Sequence, residues 1–407
     1  KTAGGWVHTL QWSAADVAAE VAPGEGYLIG VSDSSGRKLQ LSYNEGGQLK
    51  ELKDPAGQVY TYSYDDSDNL VSVQDPSGLI RHYHYNEGDH VQIEGGTYGE
   101  AGSAGHLIHA LTGMSYEAAG VTTRFADYRY QYDGRAVETT HALDSGKHSL
   151  TFNADGSTTV VDPLEQDRVY KFAVAQGVAQ PQDQDIPCST GSPYKSVKSD
   201  ANGNPEYQID FNGNRTSYTY DTSRNLETKR VEGLTAAGDA TSVSRTISTQ
   251  WHASLRQPLK IAQPNKLTTF EYYANGTLKS RKEQATTDAT GSAGLGATID
   301  TTVADRIWTY SYNSEGQLTS IDGPRSDVTD KVTLEYYSAD DTASPTKWRK
   351  GDLKQITNAV GHITKYEEYD AAGNVVQVSD PNGVITKNEY DSLGRLKTQT
   401  VGGLKTV

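Results

Sequence analysis

Alternating apolar and polar positions recur along most of the chain, and they predict short β-strands. In the segment 59–64 three tyrosines occupy every second position, so their rings share one face of an extended strand. The same alternation returns at 218–220 and 310–312. Tyr and Thr, which fill many of these positions, both favour strands.

Turn-forming residues bracket each alternating run. Asp-Pro-x-Gly precedes a strand at 54–57, 75–78 and 380–383 and favours a type I turn, because Pro presets φ and Asp bonds its own backbone. A second turn rich in Asp, Asn and Gly follows the strand, as at 44–47 and 370–374, and leads into another strand. Each unit therefore predicts a β-hairpin. Since one hairpin is marginal alone in water, we expect the hairpins to pair edge to edge.

The units repeat with a constant spacing that can be written Gly-x6-Tyr-[Asp/Asn]-x4-[Leu/Val]. The period is 21 residues where units follow one another directly, as from Tyr43 to Tyr64. Tyr132 and Tyr273 are assigned to shortened copies, in which the apolar residue comes one position earlier. The predicted repeat residues are Tyr43, Tyr64, Tyr85, Tyr132, Tyr220, Tyr273, Tyr312, Tyr369, Tyr390, Gly36, Gly57, Gly78, Gly213 and Gly383.

The pattern weakens between the clear units. The stretches near 94–126, 165–204, 231–261 and 282–304 are rich in small and polar residues, and we interpret them as degenerate or inserted units and long loops. We expect residues 27–407 to form the repeat array. Residues 1–26 form a separate N-terminal segment, in which 12–20 predicts a short helix capped by Ser13. That segment has no initiating Met and no apolar signal core, so we expect a chain processed or excised from a longer one.

Composition decides between a folded array and a disordered chain. A hydrophobic content of 35% and a net charge of −15 lean towards disorder. The 26 tyrosines against 5 phenylalanines argue for folding, because a tyrosine buries its ring while its hydroxyl stays hydrated or finds a partner. This preference suits sheets with half-exposed faces.

Charge and hydropathy exclude two classes of partner. A sequence pI near 5.1 argues against nucleic acid, which requires a basic face. The sequence has no apolar run long enough for a membrane span. Cys188 is the single cysteine, so an intramolecular disulfide is impossible.

The sequence offers only weak evidence for a catalytic site. Cys188 has no histidine on its C-terminal side before His252, and we interpret it as an unpaired loop thiol. No nucleophile elbow of the Gly-x-Ser-x-Gly type lies in a strand–turn–helix context. Paired carboxylates for sugar hydrolysis cannot be identified by spacing in a β-array, because the partners come from distant strands.

Candidate metal groups are equally incomplete. The segment 65–68 offers carboxylates to Ca²⁺, but it lacks a bidentate Glu and occupies a repeat turn. The pairs His82/His84 and His106/His109 each lack a third zinc ligand, and we interpret them as exposed strand or loop histidines. We therefore predict no catalytic residue, no metal site and no cofactor.

The motif Tyr-Asp-x-x-Gly-[Arg/Asn]-[Leu/Val], present at 369–375 and 390–396, resembles the YD repeat. It is similar to the repeats of bacterial RHS proteins, of the B and C components of Tc insecticidal toxins, of wall-associated proteins and of teneurins. The resemblance covers roughly 27–93, 205–230 and 263–400. It implies an all-β fold of tandem hairpins in a spiralling antiparallel sheet that forms an open or partial shell.

The resemblance also implies a function. Shells of this family enclose a C-terminal toxin, which is released at a Pro-x4-Asp-Pro-x-Gly-Leu motif. Residues 75–79 match the end of that motif, but they fall on a repeat turn and position 70 is Leu70 instead of Pro, so we do not assign them as a cleavage site. Neither plug nor toxin follows the last repeat, so we expect part of a shell, a short open relative or one piece of a larger assembly.

We therefore expect a structural, non-enzymatic shell or scaffold segment of a secreted or cell-surface bacterial protein. Its expected partner is a cargo or companion polypeptide, either a C-terminal toxin or further shell segments. One alternative is a surface module that binds cell-surface glycan or protein. Another is a polysaccharide-acting enzyme built on the β-scaffold.

Overall fold

The computed structural model describes residues 7–100, 102–103, 105–142, 145–184 and 194–406. Within these residues the chain consists of 31 strands in one sheet, joined mostly by tight turns, with a short 3-10 turn at Gly294–Gly296. Sequential strands pair antiparallel. The predicted all-β architecture of tandem hairpins is confirmed.

The strands of the first third of the chain are β1 (Thr9–Trp12), β2 (Leu28–Ser32), β3 (Lys38–Tyr43), β4 (Leu49–Lys53), β5 (Val59–Tyr64), β6 (Leu70–Gln74), β7 (Ile80–Tyr85), β8 (Leu111–Ala118) and β9 (Val121–Tyr130). Those of the middle are β10 (Ala136–His141), β11 (Ser145–Phe152), β12 (Thr158–Val161), β13 (Asp167–Ala175), β14 (Val178–Gln184), β15 (Tyr194–Ser199), β16 (Pro205–Asp210), β17 (Arg215–Asp221), β18 (Leu226–Leu234), β19 (Arg245–Trp251), β20 (Pro258–Gln263), β21 (Lys266–Tyr272) and β22 (Leu278–Ala285). The remainder are β23 (Arg306–Tyr312), β24 (Leu318–Asp322), β25 (Val332–Tyr336), β26 (Leu353–Thr357), β27 (Ile363–Tyr369), β28 (Val375–Ser379), β29 (Ile385–Tyr390), β30 (Leu396–Val401) and β31 (Leu404–Thr406).

The chain divides into two compact units. Unit 1 comprises Lys1–Arg135 and Tyr310–Val407, and unit 2 comprises Ala136–Thr309. Unit 1 thus combines an N-terminal strip, β1–β9, with a C-terminal strip, β24–β31. Unit 2 contains β10–β22, in which the weaker repeats still form paired strands.

A β-bulge recurs immediately beside the repeat tyrosines. Ser42 lies opposite Glu51 but Tyr43 lies opposite Leu49, so one residue of β4 is left unpaired. The ladders shift in the same way before Tyr64, Tyr369 and Tyr390. A bulge bends its strand and re-aims the adjacent side chain, so the register itself sets the direction of each tyrosine.

The two faces of the sheet differ in polarity at β5–β7. On one face Tyr62 lies opposite Val73, and on the other Ser63 lies opposite Ser72. The tyrosines of β5 are half-buried. The chain exposes 23337 Å², whereas a compact protein of its mass exposes about 15,000 Å². Most side chains are therefore only partly buried.

The predicted N-terminal helix at 12–20 is wrong. Trp12 is the last residue of β1 and pairs with Leu28, and two tight turns follow it. The Ser13 hydroxyl donates to the Gly24 carbonyl (2.7 Å) and accepts from the Tyr27 amide (2.9 Å), so it does not cap a helix. A helix this short has little intrinsic stability, and pairing with β2 competes successfully for its first residue.

The glycine of the Asp-Pro-x-Gly turn adopts a left-handed conformation. Gly57 has φ +83° and donates its amide to the Asp54 carbonyl at 3.0 Å. A Cβ is strained in this region, whatever space surrounds it.

We expect Gly57→Ala to lower the free energy of unfolding by about 1–2 kcal/mol, because alanine resists a positive φ. Urea denaturation of the full chain measures the change. Gly24→Ala is the matched control, since Gly24 has no positive φ and a Cβ added there would meet no atom within 4 Å. Equal effects at the two positions would contradict the role of backbone conformation.

Candidate functional site: the tyrosine links and the turn seam

A tyrosine at the end of one strand is hydrogen-bonded to the beginning of the preceding strand. The Tyr64 hydroxyl, at the end of β5, donates to the carbonyl of Leu49, the first residue of β4, at 3.1 Å. Leu49 is itself the apolar residue six positions after Tyr43. The two signature positions of the repeat, Tyr and Leu/Val, are therefore joined across neighbouring units.

The same bond recurs in both units. It joins Tyr43 to Leu28 (2.8 Å), Tyr130 to Leu111 (2.8 Å), Tyr272 to Pro258 (2.8 Å), Tyr336 to Leu318 (2.8 Å), Tyr369 to Leu353 (2.6 Å) and Tyr390 to Val375 (2.9 Å). In every case the donor ends its strand and the acceptor begins its own. We call these bonds the tyrosine links.

Two predicted repeat tyrosines lie one or two positions from the residue that makes the link. Tyr272, rather than Tyr273, bonds Pro258 and pairs with Leu278, which restores the six-residue spacing. Tyr130, rather than Tyr132, bonds Leu111. Tyr132 and Tyr273 are 43% and 41% exposed and lie in the turns. In both corrected copies the linking residue lies six positions before the first residue of the next strand, Leu278 for Tyr272 and Ala136 for Tyr130.

The other predicted tyrosines occupy comparable places. Tyr85 and Tyr312 end β7 and β23, and Tyr220 is the penultimate residue of β17. Burial raises the pKa of Tyr220 to about 12 and that of Tyr85 above its usual value. Burial likewise raises the pKa of Tyr369, the most buried of the linking rings. These phenols therefore remain protonated donors at neutral pH.

All five predicted turn glycines have a positive φ, as the repeat requires. The values are Gly36 76°, Gly57 83°, Gly78 87°, Gly213 84° and Gly383 81°. In each turn the glycine amide donates to the carbonyl of the Asp three residues earlier. The segment 75–79 forms this same turn, with the Asp75 amide donating to the Leu79 carbonyl, which agrees with its assignment to the repeat.

In addition to the backbone hydrogen bond, a side-chain oxygen at the start of the turn accepts backbone amides and stabilises the turn. Oδ1 of Asp391 accepts the amide of Arg395, and Oδ1 of Asp65 accepts the amides of Ser67 and Asn69. The backbone amide of Arg395 holds the pKa of Asp391 below its usual value of 3.8. The Asn69 side-chain amide is the main cause of the lowered pKa of Asp65. Asn313 makes the equivalent contact with the Gln317 amide without a charge.

We expect acid to destabilise these turns. A carboxylate whose pKa is lower in the folded state stabilises the fold fully above about pH 3.8, its unfolded value, and loses that contribution as pH falls through the folded value. Urea midpoints measured from pH 6 to pH 2 should therefore fall at the acidic end. Asp391→Asn should show a shallower decline, because the amide oxygen still accepts at low pH. An unchanged slope in the variant would contradict this assignment.

The two strips of unit 1 meet along their turns, and we call this contact the seam. Arg37, beside the β2–β3 turn, donates from Nη2 to Oδ2 of Asp352, before β26, at 2.9 Å. Their side chains are only 11% and 7% exposed. Asp352 also accepts the Arg349 amide at 2.8 Å, so one carboxylate fixes both sides of the seam. A buried ion pair of this kind is costly to break from one side.

A loop between β25 and β26 supplies much of the seam. Within it the Tyr337 and Trp348 rings stack with centroids 4.5 Å apart and planes 9° apart. The Lys347 carbonyl accepts the amide of Tyr369 at 2.6 Å, which ties the loop to β27. The sequence analysis did not identify this loop or its ion pair, and the only local signal is the long spacing between Tyr336 and Leu353.

The histidines considered as metal ligands each contact a different group. His82 Nε2 lies 3.1 Å from Glu117 and His84 Nε2 lies 2.8 Å from the Ser115 hydroxyl. His106 Nε2 lies 2.7 Å from the Tyr132 carbonyl, and His109 Nδ1 lies 2.7 Å from Asn69. His82 and His84 are half-buried instead of exposed, because they lie between paired strands.

Among the described residues, no group of three or more His, Cys, Asp or Glu side chains could hold a metal ion. Residues 65–68 form a repeat turn whose Asp65 oxygen is used by backbone amides. Cys188 lies outside the residues that the structure describes. In the described part of the chain, no helix has the length and apolar character needed to cross a membrane.

Comparison with known proteins identifies the repeat. The RHS Repeat family model matches residues 43–80, 348–385 and 369–406. Each segment contains a strand-ending tyrosine and the turn that follows it, so the predicted resemblance is confirmed at the level of the repeat. No curated protein matches the sequence.

Solved structures of Tc toxin components show a distant likeness. The crystal structure of TcdB2-TccC3-TEV aligns with 97% of this chain and 22% of its own at 11% identity and a TM-score of 0.46. TcdB2-TccC3 without its hypervariable C-terminal region aligns with 94% and 23% at 11% identity and a TM-score of 0.43. The Photorhabdus luminescens Tc holotoxin pore aligns with 93% and 26% at 10% identity and a TM-score of 0.39. This chain spans about a quarter or less of each.

Proposed function

We propose that this chain, which carries RHS repeats, is a scaffold segment of a secreted or surface-exposed bacterial toxin-type protein, and that its sheet encloses or presents a companion polypeptide. The observation that carries the proposal is the surface left exposed by the sheet. The chain exposes 23337 Å², about one and a half times the area of a compact protein of its mass. In this proposal a bound partner polypeptide buries part of that surface.

The tyrosine links between hairpins favour a scaffold role for the chain over the role of a binding loop or an enzyme. Tyrosine links recur along unit 1, and one joins β20 to β21 in unit 2, so the described contacts stabilise strand-to-strand connections at several places in the array. Repeat proteins of this kind gain stability from nearest-neighbour contacts and present extended surfaces. The side chains of His82, His84 and Asp391 are engaged in local structural contacts.

The half-buried aromatic face gives the partner a defined contact surface. Tyr62 lies opposite Val73, and Val73 lies opposite Arg81, so the alternation along each strand puts Tyr60, Tyr62 and Tyr83 on the same face. Burial, and then these two tyrosines, raise the pKa of Tyr62. Tyrosine rings present apolar area together with a hydrogen-bonding group, so they accept varied polypeptide sequences. This chemistry favours a companion chain held without a single specific pocket.

The test is to express the chain together with the reading frames that adjoin it and to ask whether a second polypeptide co-purifies. We expect a co-eluting polypeptide by size-exclusion light scattering and intact-mass analysis, and we expect it to resist a protease that digests it when it is alone. X-ray scattering should give a radius of gyration above the roughly 22 Å of a compact chain of this length. A value at 22 Å, or a companion digested at the same rate free and bound, would refute the proposal.

A further inference from the structure

Beyond the scaffold role, and independent of it, we propose that unit 2 contains a binding site for a small aromatic carboxylate, between its β19–β20 and β21–β22 turns. A cavity of about 560 Å³ lies here. This volume is within the range of small-ligand sites, about 300–1,000 Å³. The residues that carry the argument are His252, Leu255, Leu259, Phe270, Tyr272 and Lys279.

Both turns depart from the repeat at their first residue. In other turns Asp or Asn stands first and accepts later backbone amides with its side-chain oxygen, as Asp65 and Asn358 do. His252 stands first in the β19–β20 turn and Tyr273 in the β21–β22 turn, and each donates its amide across the turn at 2.8 Å. Ring-bearing residues therefore replace the short polar residue at two neighbouring turns, and the cavity lies between these turns.

His252 does the work of the usual oxygen and adds a donor. Its Nδ1 accepts the amides of Ser254 at 3.2 Å and of Leu255 at 3.1 Å. A ring nitrogen that accepts these bonds carries no proton, so the proton of the neutral imidazole is on Nε2. The described hydrogen bonds of this ring all go to Nδ1, and the ring lines the cavity. The Nε2–H group is therefore available to an acceptor on a ligand.

The walls of the cavity are largely apolar. Leu255, Leu259, Phe270 and Tyr272 line it. The Tyr272 hydroxyl is fixed in a tyrosine link at 2.8 Å, and the rings of His252 and Tyr272 are perpendicular with centroids 6.5 Å apart. Aromatic rings favour edge-to-face and offset-stacked neighbours, so this lining suits an aromatic ring.

The two turns are joined to each other and to the preceding hairpin. Gln257 donates from Nε2 to the Gly276 carbonyl at 2.9 Å, which bridges the turns. Arg224 donates from its two terminal nitrogens to the carbonyls of His252 at 2.7 Å and of Leu255 at 2.9 Å. The cavity is therefore formed before a ligand arrives, which lowers the entropic cost of binding.

The charges around the cavity favour an anion. Lys279 lines the cavity 3.4 Å from Glu271, and both side chains are exposed. An ammonium has three donors, so Lys279 can bind a second oxygen besides that of Glu271. Arg256 donates to two backbone carbonyls of the β17–β18 turn, and neutral carbonyls do not cancel the charge of its guanidinium. A carboxylate that accepts from both His252 and Lys279 matches this arrangement.

The experiment measures binding of benzoate, phenylacetate and indoleacetate to the purified full chain by saturation-transfer NMR and calorimetric titration. We expect saturable binding that weakens about tenfold or more in His252→Asn, since one hydrogen bond to an ion is lost. Asn should preserve the turn, because the Asn358 oxygen accepts backbone amides in the same way. His362→Asn, at an exposed histidine of unit 1, is the matched control and should bind as the parent chain does.

A second pair of variants tests the charge of the ligand. Ala274 lies on the exposed rim of the cavity. Ala274→Glu should weaken binding about threefold to tenfold, because a carboxylate in the rim repels the ligand. Ala274→Gln has the same size without the charge and should bind more tightly than Ala274→Glu. Added salt should reduce the difference between the two variants.

Thermal unfolding of each variant separates loss of the site from loss of the fold. If His252→Asn unfolds, the two Ala274 variants decide the question. The proposal is overturned if none of the three carboxylates binds at millimolar concentration, if folded His252→Asn binds as the parent does, or if the Ala274 variants bind equally. It is also overturned if benzamide and phenylacetamide bind as tightly as the corresponding acids, or if cyclohexanecarboxylate binds as tightly as benzoate. None of these outcomes depends on a companion polypeptide, so this proposal and the scaffold role fail separately.

Discussion

Replacing Tyr369 with phenylalanine is expected to lower the free energy of unfolding by about 1–3 kcal/mol, because the Leu353 carbonyl loses its buried donor. The ring is 9% exposed, so water does not replace the hydroxyl at no cost. Tyr369→Ala also removes the ring and should lower the free energy by about 3–5 kcal/mol. Urea denaturation gives the free energies, and hydrogen exchange should show the loss first in β26 and β27.

Tyr132→Phe is the matched control for the tyrosine link. This ring is 43% exposed and its position is outside the observed set of links, so we expect a change within about 0.5 kcal/mol. If Tyr132→Phe and Tyr369→Phe destabilise the chain equally, the repeat tyrosine acts through general packing. The hydrogen bond of the tyrosine link would then contribute no stability of its own.

Arg37→Ala is expected to lower the free energy of unfolding of unit 1 by about 3–5 kcal/mol, since it leaves Asp352 charged and buried in the seam. Asp352→Asn should cost less, because the amide oxygen still accepts the Arg349 amide. The double variant Arg37→Met with Asp352→Asn should recover part of the loss, because no unpaired buried charge remains. Hydrogen exchange at the β2–β3 turn reports the opening of the seam directly.

An exposed ion pair supplies the control for the seam. Arg325 and Asp327 have side chains that are 59% and 67% exposed, and we expect Arg325→Ala to change stability by about 0–1 kcal/mol. Added salt should weaken the Arg325 pair more than the buried Arg37 pair. A seam variant with no larger effect than Arg325→Ala would show that the strips of unit 1 are held by other contacts.

The hairpin array is determined by local sequence. Asp-Pro-x-Gly at 54–57 favours its turn through backbone preferences of four consecutive residues, and the alternation at 59–64 fixes which side chains share a face. Both signals act between neighbours in the chain, so the element order follows from them. The match of the RHS Repeat model to 43–80 and 348–406 rests on the same local pattern.

The exact linking tyrosine is determined by register, which the sequence shows less directly. Tyr272 and Tyr273 are adjacent, and only the pairing of Tyr272 with Leu278 distinguishes them. The bulge beside the link displaces the ladder by one residue, so a count of residues along one strand does not identify the tyrosine that makes the link. The failed helix at 12–20 has a similar cause, since pairing of Trp12 with Leu28 outweighs a weak local preference.

The sequence by itself therefore determined the repeated hairpins, their turns and the positions that recur, because each rests on contacts within one or two units. The tertiary structure alone decided the seam. Arg37 and Asp352 are separated by 315 residues, and nothing near either residue marks the other as its partner. Burial then gives that single ion pair its strength, because two charges withdrawn from water depend on each other.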